Sequence, residues 1–144
     1  MPRDGRGDDF VDRFAECLGS GPSASYMVRV QNPIVLDERS EPQPDIALVK
    51  RANYADRHPT PADVLLIVEV SDTTLDYDRD VKLSLYARHG IPEVWLCDVK
   101  AGGLAVFREP IEGQYRLMHK PTTSETVAPL WVPVVRVAVA DVLA

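Results

Sequence analysis

Hydrophobic and polar positions divide the chain into short β-like and helical pieces. The apolar run Val64-Leu65-Leu66-Ile67-Val68-Glu69-Val70 predicts a strand buried on both faces, and Ile46-Ala47-Leu48-Val49, opened by Pro44-Asp45, predicts another. Phe10, Phe14, Cys17 and Leu18 stand at helical spacing, with Gly19 as the stop, so a short amphipathic helix is expected over 10–18. Residues 26–30 and 34–36 are β-prone pieces interrupted by Asn32-Pro33, and the turn-rich stretch 37–43 follows. Residues 51–63 carry Asn, Asp, His and two prolines without periodicity and predict a surface loop that could border a substrate.

The second half reads similarly. Good helix formers and a terminal Gly90 mark a helix over 78–90, whose acidic start suits the helix dipole. Asp78, Lys82 and Tyr86 fall at i, i+4 and i+8, one polar stripe that is a candidate wall of a site, while Val81, Leu83 and Leu85 are expected to face the core. Strands are expected over 93–98, 104–107 and 115–118, with a turn at Ala101-Gly102-Gly103. The tail offers a β-prone run over 134–139 and a closing helical turn over 140–143.

Length and composition narrow the class. A chain of 144 residues with 45% hydrophobic content suits one domain over 10–144, preceded by an arm at 1–9 that has almost nothing to bury. No stretch of about 18 apolar residues and no leader-like pattern occurs, so a cytoplasmic protein is expected. Cys17 and Cys97 lack companions at metal-binding spacing and read as thiols, and His58, His89 and His119 are scattered. The net charge of −6 argues against broad, nonspecific attraction to nucleic acid but leaves a nuclease possible, because active-site acids add to the negative count and a divalent metal offsets them locally.

Glu69 carries the chemistry. An ionised carboxylate inside an apolar strand costs several kcal/mol unless a cation or a metal compensates it. Asp45, at the mouth of the other apolar strand, supplies a second acid, and Mg²⁺ is commonly held by one or two protein carboxylates with waters and substrate phosphate oxygens. Each residue also has a plain structural reading. An Asp after Pro is by default a turn or cap residue, Lys82 a solvated helix lysine, Asp78 a first-turn acid and Tyr86 a packed aromatic. For Glu69 the structural reading requires a buried Arg or Lys partner.

The series Pro44-Asp45, Glu69-Val70-Ser71, Asp78-Arg79, Lys82, Tyr86 and Gly90-Ile91-Pro92-Glu93-Val94-Trp95 resembles a PD-(D/E)XK nuclease. More narrowly, with Gln31-Asn32-Pro33 and Ser40-Glu41-Pro42-Gln43-Pro44-Asp45, it resembles the bacterial putative-restriction-endonuclease family of that superfamily, from Tyr26 to the C-terminus. The resemblance implies an α/β (α+β) fold with a restriction-endonuclease-like core, a mixed β-sheet flanked by helices, in which Asp45 and Glu69 hold Mg²⁺, or Mn²⁺ in its place, beside a DNA phosphate. Ser71 occupies the position where the superfamily usually has its lysine. The resemblance therefore assigns the lysine role to Lys82 on the following helix, with Asp78, Ser71 and Tyr86 supporting it. Glu16 is the one nearby helical acid available as an extra metal ligand. The expected partner is DNA, and a homodimer suits cutting of both strands. The alternative is a catalytically inactive nuclease-like domain serving as an interaction module, and a third is a metal-dependent hydrolase of another phosphate ester.

Overall fold

The computed structural model describes residues 5–22, 24–71 and 76–143, with the backbone alone described at 5, 6 and 76–78. Its centre is a six-stranded mixed sheet in sequential order: β1 (Tyr26–Val30), β2 (Ile46–Lys50), β3 (Val64–Ser71), β4 (Glu93–Asp98), β5 (Gly103–Ile111) and β6 (Gln114–His119). Neighbouring strands run antiparallel except β3 and β4, which are parallel and joined by helix α2 (Asp76–Arg88). A parallel pair needs such a crossover, so α2 must lie across one face of the sheet. Gly90 ends it at φ +74°, a conformation suited to glycine, and Ile91 N–H then bonds back to the Tyr86 carbonyl at 3.1 Å.

Alternation along the strands splits the core in two. Ile46, Leu48, Leu66, Val68, Val70, Trp95 and Cys97 face helix α1 (Gly5–Leu18), a two-stranded ribbon of β7 (Thr126–Val127) and β8 (Val137–Ala138), and the short α3 (Val139–Leu143). Ala47, Val49, Ile67 and Val94 face Tyr86 of α2 together with Ile34, Leu36 and Tyr54 from the loops flanking β2. The apolar run at β3 is buried on both faces, as its composition predicts.

Several sequence expectations shift. The first helix begins at Gly5 rather than Phe10, so it takes in residues assigned to the arm; residues 1–4 lie outside the described residues. Residues 34–36 form no strand: Ile34 and Leu36 donate to the carbonyls of Pro42 and Ser40 within their own loop, although both side chains are buried. On α2, Val81 points to solvent at 48% exposure instead of into the core, because the stripe that meets the sheet runs through Leu83, Tyr86 and Ala87. Among the described residues, no helix is long and apolar enough to cross a membrane.

Candidate active site

The β2–β3 ladder ends at Ile46↔Val68, and Pro44, one residue beyond Asp45, has no N–H with which to extend it. Side chains take over beyond that point. The Val70 N–H donates to Asp45 Oδ2 at 2.7 Å, and the Asp45 N–H donates to Glu69 Oε1 at 3.1 Å. Each acid thus completes the backbone bonding of the other's strand, which fixes both carboxylates at one end of the β2–β3 pair. Both are nearly inaccessible, Asp45 at 7% and Glu69 at 5%. They belong to the α2 side of the sheet, in step with Ala47 and Ile67.

Helix α2 supplies the rest. Lys82 and Tyr86, one turn apart, both reach Glu69 Oε2: Lys82 Nζ lies 3.1 Å away, and the Tyr86 hydroxyl donates to the same oxygen at 3.1 Å. Tyr86 is fully buried, whereas the Lys82 side chain is 55% exposed, with its stem against the protein and its ammonium group able to reach water. Burial pushes the Glu69 pKa up, and the Asp45 charge adds to the rise; Lys82 and the Asp45 N–H oppose it without cancelling it. The compensating cation sits half in solvent while the carboxylate does not. Burial likewise raises the Tyr86 hydroxyl far above its ordinary range, with the Glu69 charge second, so Tyr86 serves as a hydrogen-bond donor.

Asp45, Glu69, Lys82 and Tyr86, all singled out from the sequence, are therefore brought together. Ser71 lies two residues beyond Glu69 on the same side of β3, with its carbonyl accepting the Val99 N–H at 2.8 Å. Asp78 falls on α2, but its side chain lies outside the described residues. Glu16 is not part of the site. It is exposed on α1, which packs against the opposite face of the sheet, so the expectation of a third acid there is corrected. No group of three or more His, Cys, Asp or Glu suited to a metal occurs among the described residues. Burial pushes the Cys97 thiol up to about 12, and the Cys17 thiol is raised chiefly for the same reason.

The sequence also failed to reveal the role of a third buried acid, Glu93, with no exposed surface, at the start of β4. Its Oε2 accepts from Trp95 Nε1 at 2.8 Å and Arg108 Nε at 2.9 Å, and its Oε1 accepts the Leu130 N–H at 2.8 Å. Two hard oxygen donors near a lysine suit a divalent cation that completes its shell with water and phosphate oxygens, and not an ion needing a cage of protein ligands.

The six-stranded mixed sheet flanked by helices is a nuclease-like fold. Residues 3–140 match the sequence profile of the Uma2 family, described as putative restriction endonuclease, and the chain belongs to that family. Its fold is similar to that of a putative nuclease belonging to DUF820 from Anabaena variabilis, with a TM-score of 0.77 and 14% identity, covering 99% of this chain and 82% of the other. No curated protein matches the chain significantly.

Proposed function

We propose that the protein is a metal-dependent endonuclease that hydrolyses DNA phosphodiester bonds. The observation carrying this reading is the pair of buried carboxylates, Asp45 and Glu69, tied across adjacent strands and faced by Lys82 and Tyr86 of α2. Asp45 and Glu69 are the residues to hold Mg²⁺ or Mn²⁺; when bound, the ion supplies an acidified water and a Lewis acid for the phosphate oxygens. Tyr86 orients the Glu69 carboxylate through its hydroxyl. Lys82, already 3.1 Å from Glu69 on a flexible and half-exposed stem, delivers positive charge where the phosphate becomes more anionic. A homodimer would present two such sites to the two strands.

Calorimetric titration of Mn²⁺ in the presence of a DNA duplex, paired with a plasmid-cleavage assay, tests this reading. Asp45→Ala and Glu69→Ala should abolish cleavage while both proteins stay folded, and Lys82→Ala should lower turnover more than metal affinity. Retained cleavage in either acid variant overturns the assignment. A second reading, a nuclease-like module without catalysis, is favoured by one observation: Ser71, which carries no charge, stands where the lysine of this motif is usual. Turnover that vanishes with Glu69→Ala excludes it, and wild-type protein that neither binds metal nor cuts DNA supports it.

A further inference from the structure

The register places Arg29 of β1 opposite Ala47 of β2, and Ala47 opposite Ile67 of β3, so Arg29 lies on the α2 side of the sheet, as Asp45 and Glu69 do. Asp45 is two residues before Ala47, which makes Arg29 and Asp45 diagonal cross-strand neighbours, about 7–8 Å apart by the usual geometry. Arg29 has an unusual environment. Its Nε is buried without a hydrogen-bond partner, and its guanidinium lies 5.2 Å from the centre of the Tyr54 ring rather than against a carboxylate. Arg57, from the same loop as Tyr54, places a second guanidinium 5.0 Å from that ring. Arg57 is paired with Asp63 at 2.7 Å, whereas the Arg29 Nε has no hydrogen-bond partner among the described residues.

A guanidinium that leaves its buried Nε–H unsatisfied is a poor solution for loop packing alone, since an aliphatic side chain would cover the ring without it. The two charges lie within roughly 10 Å of each other, a span matching two or three backbone phosphates along one strand. Guanidinium groups are the side chains best shaped for phosphate, and phosphates bound alongside offset their positive charge. We propose that Arg29, Tyr54 and Arg57 form a DNA backbone-binding surface beside the two acids, with Tyr54 as the rigid spacer and Arg29 as the principal phosphate contact. It resolves the conflict between a net charge of −6 and a polyanionic partner, because affinity depends on where cations cluster rather than on their total. The proposal rests on the nuclease reading for the identity of the polymer.

The test measures fluorescence anisotropy of a short labelled DNA duplex with wild type, Arg29→Gln, Arg29→Lys and Arg57→Gln across a salt series in EDTA, so that binding is scored apart from cleavage. The expected result for Arg29→Gln is about tenfold weaker binding and a log K against log salt slope shallower by about 1, with the slope restored in Arg29→Lys. Arg57→Gln should show a smaller loss because Asp63 already draws on its charge. Should Arg29→Gln fail to fold by circular dichroism, Arg57→Gln carries the test, and an unchanged salt slope there overturns the proposal. A lower thermal midpoint with an unchanged slope in Arg29→Gln overturns it, making Arg29 a loop anchor, and so does wild-type protein that does not bind the duplex. Expected binding without cleavage in Mg²⁺ or Mn²⁺ upholds the surface and removes the hydrolytic reading; cleavage with no slope change in any variant does the reverse.

Discussion

Two buried glutamates, one on each face of the same sheet, have opposite characters. Glu93 shares the α1 face with Trp95 and is held at 2.8–2.9 Å by an arginine, an indole N–H and a backbone N–H. Arg108 itself is anchored, its other end donating to the Ala128 carbonyl at 2.8 Å. Glu69, on the α2 face, has contacts of 3.1 Å, a cation half in water and a second acid beside it. Glu93 is saturated by partners with nowhere else to go, and its task is to clamp the segment after β7 onto the sheet. Glu69 is under-compensated, because its cation is half in water and a second acid adds to its charge. Burial alone does not mark a functional acid; the quality of compensation separates the two.

The largest effect should come from breaking the saturated one. Glu93→Ala strands Arg108, the Trp95 N–H and the Leu130 N–H together, and loss of a buried ion-pair partner typically costs about 3–5 kcal/mol. Urea denaturation followed by tryptophan fluorescence measures it. A cost below that of Glu69→Ala would erase the distinction drawn here.

Glu69→Gln should have the opposite sign. The folded-state pKa of Glu69 is raised above its unfolded value, so the native protein binds the extra proton between the two. Stability from this group is therefore present at low pH and lost as pH rises from the ordinary glutamate range through the folded pKa. Gln removes the charge while its single carbonyl oxygen accepts the Asp45 N–H and its amide N–H donates to the Tyr86 hydroxyl oxygen, so the variant should be more stable than wild type by about 1 kcal/mol at neutral pH, with the gap closing in acid. Denaturation across pH checks both parts. A wild type that is the more stable protein at neutral pH would mean that Lys82 fully compensates Glu69.

Much of this was legible in the sequence. The run 64–70 announced a two-faced strand, and a carboxylate in it announced a site, because few side chains can occupy such a position without help. The pairing of Lys82 with Tyr86 followed from helical spacing. Glu93 was placed at the start of a strand, but its buried role was missed because Arg108, Ala128 and Leu130 are brought to it only by tertiary folding. Glu16 misled for the same reason in reverse: nearness to the site was assumed, while the face on which α1 packs is decided by which strand residues its Phe14 meets, Trp95 among them. Residues 34–36 are β-prone in type, yet three prolines nearby, at 33, 42 and 44, remove ladder donors and leave a loop.

Tyr86→Phe sharpens the contrast at smaller scale. It deletes one donor to Glu69 Oε2 and leaves the ring packed, so the cost should be about 1–2 kcal/mol where Glu69 is ionised and less where it is protonated. Unfolding at neutral and acidic pH separates the two values. A loss that is equal at both would show that the hydroxyl does not discriminate between the two forms of Glu69.

The smallest stability effect belongs to Lys82→Met. A side chain 55% exposed contributes little through its ion pair, under about 0.5 kcal/mol, and Met preserves the stem that covers the sheet. Its consequence should appear in titration instead. Lys82 is the largest influence lowering the Glu69 pKa, so its removal drives that pKa further up and widens the pH interval over which stability declines. Following the Glu69 carboxyl by NMR in wild type and variant reads the shift directly, and an unmoved titration would mean that the contact at 3.1 Å is not maintained in solution. No comparable variant exists at Glu93, where removing the cation also removes the clamp. Lys82 thus tunes the acid without supporting the fold.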